Sequence, residues 1–372
     1  MSKLDITRRD FLNGFALSVA AGSSLSPLEL LAQEGRYPPS LTGLRGSHAG
    51  SFEIAHAISW GNASWPRPDN LTDDIYDLVV VGGGLSGLAA AYMYRARTGG
   101  DPKILVIDNH DDFGGHAKRN EFDVDGTHLI GYGGSQSIDS PAKYSAASAQ
   151  MLQDAGVDTE PFYEYFDRSY FRERNLGRAL YFAKDQYGAD SVHPNILRGG
   201  DASRLVETIA AFPIPEAARK SLVDLLTSEK DYLSELSVDE KRAFLKSISY
   251  TEFLRKHVGT HEDVVLLLRE SIKGFWGVGY DALSAMEGYR LGMPGAWHMG
   301  LEDESAGPAG RDEPYIFHFP DGNAGIARGI VRRLIPHAVP GSTMEDIVLS
   351  RVDYDMLDLA SNSNRIRLDS TA

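Results

Sequence analysis

The run Gly82-Gly83-Gly84-Leu85-Ser86-Gly87 constrains this chain more than any other feature. It follows residues 76–81, a short β-branched apolar stretch that reads as a buried parallel strand. It precedes residues 89–97, a stretch of good helix formers closed by Gly99-Gly100. A second apolar stretch, residues 103–108, ends in Asp108, 21 residues after Gly87. Strand, G-x-G-x-x-G turn, helix, strand and terminal acid together spell a dinucleotide-binding β–α–β unit. Each residue type has a reason. Gly82 permits the tight turn, Gly84 lets backbone approach a pyrophosphate, and Gly87 lets helix and strand pack closely. Leu85 and Ser86 open the helix, whose N–H groups receive the phosphates. Asp108 accepts a ribose hydroxyl, and an acid there disfavours a 2′-phosphate.

FAD and NAD share this fingerprint, so the choice between them lies downstream. Asp108-Asn109-His110-Asp111-Asp112-Phe113-Gly114-Gly115-His116 places a glycine pair just after the ribose acid. A third cluster, Gly131-Tyr132-Gly133-Gly134-Ser135-Gln136-Ser137, follows an expected hairpin. NAD would need only the first cluster; three point to FAD. The cofactor-binding set is therefore Gly82, Gly84, Leu85, Ser86, Gly87, Asp108, Asn109, Gly114, Gly115, His116, Gly133, Gly134 and Ser135. Lys118 and Arg119 either neutralise the pyrophosphate or stand in solvent.

Length and composition set the frame. The 372 residues suit about two domains. With 42% hydrophobic and 24% charged residues, the chain is neither disordered nor a polytopic membrane protein. A net charge of −15 excludes the basic face of a nucleic-acid binder. The absence of cysteine removes disulfides, thiolate catalysis, iron–sulfur clusters and covalent c-type haem. No metal site is expected. The expected fold is α/β: an FAD/NAD-binding Rossmann-like domain with a largely helical inserted substrate domain.

Residues 1–32 have the layout of an export signal: Arg8-Arg9, then Phe11-Leu12 and a weakly apolar stretch too polar to span a membrane. Cleavage is expected near Ala21 or Ala32. Residues 33–73 read as irregular, with Trp60 and Trp65 packing on something. Residues 74–140 form the first cofactor-binding half and residues 141–312 the helical insert, with a capping box at Ser237–Glu240 opening a helix towards Phe253. Residues 313–372 return to the cofactor domain. There, residues 315–319 and 365–368 are strand-like, residues 324–334 are helical, and Asn323 is an expected N-cap.

The stretches 6–12, 108–120 and 131–137, with Phe319-Pro320-Asp321-Gly322-Asn323, resemble bacterial periplasmic spermidine dehydrogenases and their relatives. The resemblance runs from end to end. It implies an FAD-dependent fold that oxidises the carbon–nitrogen bond of a polyamine or other amine, export by the twin-arginine machinery, residence in the periplasm, an electron acceptor of unspecified kind, and haem in some members. Members of that family are longer, so the chain reads as a truncated member. An exported NAD-dependent Rossmann oxidoreductase and an inactive flavoprotein fragment stand as alternatives.

The chemistry implied needs no side-chain nucleophile, and no catalytic residue is assigned. It needs an apolar, aromatic-walled pocket with an acid for a distal ammonium. Trp276, Tyr280 and Asp281 are the substrate candidates by composition, with core aromatics at a helix junction as the bland reading.

Overall fold

The computed structural model describes residues 37–41, 51–65, 74–196, 202–301 and 313–372. The expected export signal, residues 1–32, lies outside them. The chain divides into two compact units: residues 1–166 with 315–372, and residues 167–314.

The first unit is built on a three-stranded parallel sheet. Strand β1 (Leu78–Val81) pairs with β2 (Ile104–Ile107), which pairs with a strand from the chain's far end, Asn364–Arg367. Helix α1 (Leu85–Thr98) connects β1 to β2 and ends at Gly99, whose φ is +67°. An antiparallel hairpin follows, β3 (Arg119–Val124) with β4 (Thr127–Tyr132). Helix α2 (Ala146–Asp154) is capped by the Ser145 side chain. Helix α3 (Ala324–Leu334) is buried along most of its length, and Gly329 lets it pass beneath the Ala155 carbonyl. The far strand is β5 (Asn364–Arg367). Leu88 and Ala91 of α1, Ile104 and Val106 of β2, Ile330 and Val331 of α3 and Ile366 of β5 form one core. The molecule is thus a Rossmann-like α/β fold with substantial helical content.

Four local expectations are corrected. Strand β1 is not buried on both faces: it is an edge of the sheet among the described residues, and Val81 is 71% exposed. Residues 315–319 form no strand; they run extended, and the Phe317 carbonyl accepts from the Ile138 amide at 2.9 Å. Residues 33–73 are not wholly irregular, because Glu53–Ser59 is a helix. Trp60, stacked on His56, remains 76% exposed, and Trp65 is also exposed, so neither anchors that segment.

The second unit starts at residue 167 rather than 141, because α2, Val157 and Phe162 bury their apolar faces in the first unit's core. It is largely helical around Phe182, Phe212, Leu222, Leu245, Phe253 and Leu268, with one antiparallel hairpin of Ala179–Phe182 and Ser191–Pro194. The capping box forms as expected, with the Ser237 side chain accepting from the Glu240 amide. Its helix stops at Ser247 rather than reaching Phe253, because Ser249 caps a separate turn, Tyr250–Phe253.

Candidate functional site: a glycine cradle at the end of the sheet

The strand–helix turn puts three glycine clusters side by side. Gly82, with φ +105°, turns the chain out of β1. Gly84 occupies the N-cap of α1, and no side chain caps that end. The first-turn N–H groups have no acceptor within the helix, and no acid lies in that turn to repel an anion. Gly87 is required for packing: a Cβ there would overlap the Gly82 carbonyl oxygen.

The second cluster pairs directly with the first. The Gly114 amide donates to the Gly83 carbonyl at 2.8 Å, and Gly84 and Gly114 form a parallel bridge. Gly114 and Gly115 have φ of +101° and +62°, conformations that side chains rarely adopt. A Cβ on Gly115 would stand 3.1 Å from the Gly84 Cα, a contact tighter than side chains normally make. The third cluster continues the layer. The Gly133 amide donates to the Lys118 carbonyl at 2.8 Å, and the Gly134 amide to the His116 carbonyl at 2.9 Å. Clusters some 30 and 50 positions downstream of the first turn are thereby brought into one backbone strip with it.

Asp108, at the end of β2, is turned towards this strip. One carboxylate oxygen accepts from the Gly83 amide at 2.6 Å. The other accepts from the His110 amide at 2.8 Å and lies 2.9 Å from His110 Nδ1. A carboxylate offers about four acceptor positions, and three partners from the protein itself lie within hydrogen-bond distance of this one. Asn109 donates its amide to the Ser51 carbonyl at 2.7 Å and so holds backbone rather than facing the strip. The exposed His116 has its ring edge over Gly134.

Lys118 and Arg119 are neither solvated nor free to meet a phosphate. Lys118 is buried and donates to the Asp112 carbonyl at 3.2 Å. Arg119 pairs with Glu121 at 2.7 Å and Asp321 at 3.3 Å, and also donates to the Val348 carbonyl. Asp321 is fully buried, and burial raises its pKa although Arg119 and Arg328 oppose the shift. This buried ion cluster was not legible in the sequence; its one trace is the acid inside Pro320-Asp321-Gly322-Asn323.

A cavity of about 490 Å³ opens beside that same stretch. Phe162, Phe166, Ile316, Phe319, Met344 and Val348 give it apolar walls, and His318 also lines it. Phe162 meets Phe317 and Phe319 edge-on at 6.0 and 5.5 Å. Glu345 is its one carboxylate. The residue's own backbone amide and the Tyr165 hydroxyl, 2.9 Å away, hold that carboxylate below its ordinary pKa, so it stays charged. Volume and lining suit a small organic molecule carrying a cation. Neither Glu345 nor Tyr165 stands in a motif, so the sequence alone did not single them out.

The substrate candidates named from composition lie in the second unit. Tyr280 is fully buried, tilted on Tyr250 at 4.9 Å, and is a core residue there. Trp276 is half exposed against Phe275, and Asp281 is exposed, near enough to Arg255 to raise its pKa. Among the described residues no cluster of three or more His, Asp and Glu could hold a metal ion, and no helix is long and apolar enough to cross a membrane.

No protein of curated function matches the sequence. Wild-type putrescine oxidase bound to putrescine is similar in structure with a TM-score of 0.36 and 18% identity, over 69% of this chain and 49% of that one. A CLA-producing fatty acid isomerase from P. acnes is similar with a TM-score of 0.31 and 15% identity, over 70% and 50%. The chain thus spans about half the length of these structures. Residues 80–155 match the family described as NAD(P)-binding Rossmann-like domain.

Proposed function

We propose that this chain is an FAD-dependent oxidoreductase acting on the carbon–nitrogen bond of an amine, of the spermidine dehydrogenase type, exported to the periplasm by the twin-arginine route. The observation that carries the cofactor is the meeting of three glycine clusters in one backbone strip. A Rossmann turn for NAD needs the first alone. The Gly114-Gly115 pair and the Gly133-Gly134 loop extend the strip for a longer dinucleotide.

The residues fit FAD in type and placement. Gly84, Leu85 and Ser86 present backbone to the pyrophosphate at an uncapped helix end. Asp108, at the end of β2, is the acceptor for the ribose. The loop of residues 131–137 lies along the strip, where the flavin ring would follow. When bound, the flavin supplies a hydride acceptor for the carbon beside the amine nitrogen. The chain's own part is to bind and orient. Phe162, Phe319 and Met344 exclude water from the substrate's carbon chain, and ionised Glu345 holds a distal ammonium. Trp276 and Asp281 are not needed for this reading. Polyamine specificity and the twin-arginine signal rest on the resemblance of residues 6–12, 108–120 and 131–137.

The test is titration of the purified chain with FAD and, separately, with NADH, following flavin fluorescence and NADH fluorescence. Saturable quenching of one FAD per chain supports the proposal. Tight NADH binding with none of FAD transfers the site to an NAD-dependent oxidoreductase.

A further inference from the structure

Asn323 stands at the N-cap of α3, a position where its side chain would ordinarily accept a first-turn N–H. It makes no such bond, and its backbone angles of −70° and 0° are not those of a capping residue. The side chain is turned the other way. Its amide nitrogen donates to Ser135 Oγ at 2.8 Å and to the Ser137 carbonyl at 3.1 Å. Its backbone N–H donates to the Ser135 carbonyl at 3.0 Å. Gly322, with φ +60°, makes the approach possible, since a Cβ there would stand 2.8 Å from Tyr132 Cβ and overlap the Ser135 carbonyl oxygen.

The loop of residues 131–137 is therefore gripped from two sides. Gly133 and Gly134 bond back to Lys118 and His116, next to the Gly114-Gly115 pair. Asn323 holds the opposite end from a segment 188 positions away. Two atoms at this junction, Asn323 Oδ1 and Ser137 Oγ, are buried with no hydrogen-bond partner. Buried polar atoms are rarely left so.

We propose that Asn323 is a positioning residue for the cofactor. It gives up helix capping to lock the loop of residues 131–137 in the shape that receives the flavin. The proposal rests on the flavin reading of the cradle, and its test separates the two. Serine and aspartate cap helices as well as asparagine does, but neither carries the amide N–H groups that reach Ser135 and Ser137. A helix-capping role predicts that Asn323→Ser and Asn323→Asp behave as the parent and only Asn323→Ala suffers. The positioning role predicts that all three fail alike.

The measurements are amide hydrogen exchange across residues 131–138 and 324–334, and FAD titration. The expected result is faster exchange in the loop for all three variants, unchanged exchange in α3 for the serine and aspartate variants, and roughly tenfold weaker FAD binding, the loss of about one net hydrogen bond. Parent-like loop exchange in the serine variant overturns the proposal. So does faster loop exchange with undiminished FAD affinity. A parent chain that binds no FAD defeats the flavin reading itself; loop exchange then shows separately whether Asn323 is a clamp without a cofactor.

Discussion

Two alanine substitutions three positions apart should have opposite consequences, because Gly84 and Gly87 are glycines for different reasons. A Cβ at Gly84 finds only the Gly115 Cα at 3.7 Å, an ordinary contact, and Gly84 has an unremarkable φ of −70°. The folded chain accepts it at a cost of about 1 kcal/mol or less, the difference between glycine and alanine at an N-cap. The added methyl group points into the gap between the first two glycine clusters, where a pyrophosphate must touch backbone. Losing two charge-assisted bonds there, at roughly 1.5–3 kcal/mol each, weakens FAD by at least about 100-fold. Gly87→Ala instead drives its Cβ into the Gly82 carbonyl and to 3.1 Å from Val80 Cγ1. Backbone cannot give way as a flexible side chain does, so α1 must lift from β1 and loosen Leu88 and Ala91 in the core. Overpacking of this kind costs about 1–3 kcal/mol, and more where backbone is the obstacle. Urea unfolding and FAD titration on both variants separate the effects. Gly177, with nothing within 4 Å of an added Cβ, is the control. Gly84→Ala binding FAD as tightly as the parent would refute the cradle; Gly87→Ala with unchanged stability would refute the packing argument.

Asp108→Asn should lower FAD affinity by roughly tenfold, because one amide hydrogen must then face the N–H of Gly83 or His110; equal titration curves for parent and variant would count against it. Asp321→Asn tests the buried ion cluster through pH. Burial raises the folded-state pKa of Asp321 above its unfolded value, so the folded chain binds the extra proton and the parent loses stability as pH rises through the folded-state pKa. The variant lacks that loss, so its stability relative to the parent should climb as pH rises from the ordinary carboxylate range through the raised folded-state pKa in urea unfolding; a difference that stays flat with pH contradicts the shift. Glu345→Gln should weaken binding of 1,6-diaminohexane about three- to tenfold by calorimetry while leaving hexan-1-ol unaffected, since only the ammonium uses the carboxylate.

The local elements could be read from the chain because their causes are local. Short β-branched apolar runs, the glycine after α1 and the Ser237 capping box act within a few residues, and strand, helix end and cap formed where expected. The pairing of Gly114 with Gly83 was half legible: the sequence shows two clusters that need unusual backbone, and only folding shows that they need it for each other. Residues 315–319 looked like a strand because aromatic and β-branched residues crowd there, yet a bond from Ile138 is the ladder they make among the described residues. Trp276, Tyr280 and Asp281 looked like a pocket because aromatic and acidic residues cluster in both pockets and cores, and composition does not tell an inward ring from an open one.

By itself, then, the sequence determined the β–α–β unit, the glycine turn and the acid at the end of β2, since steric freedom at glycine and the two backbone periodicities are properties of short segments. Tertiary structure alone decided that Asp108 faces Gly83, that Arg119 and Asp321 meet inside the core, that Glu345 stands on an apolar cavity and that Asn323 reaches a loop instead of capping its helix. Most of those outcomes depend on which polar group finds a partner across more than a hundred residues of chain. That competition is settled by packing, and no local pattern carries it.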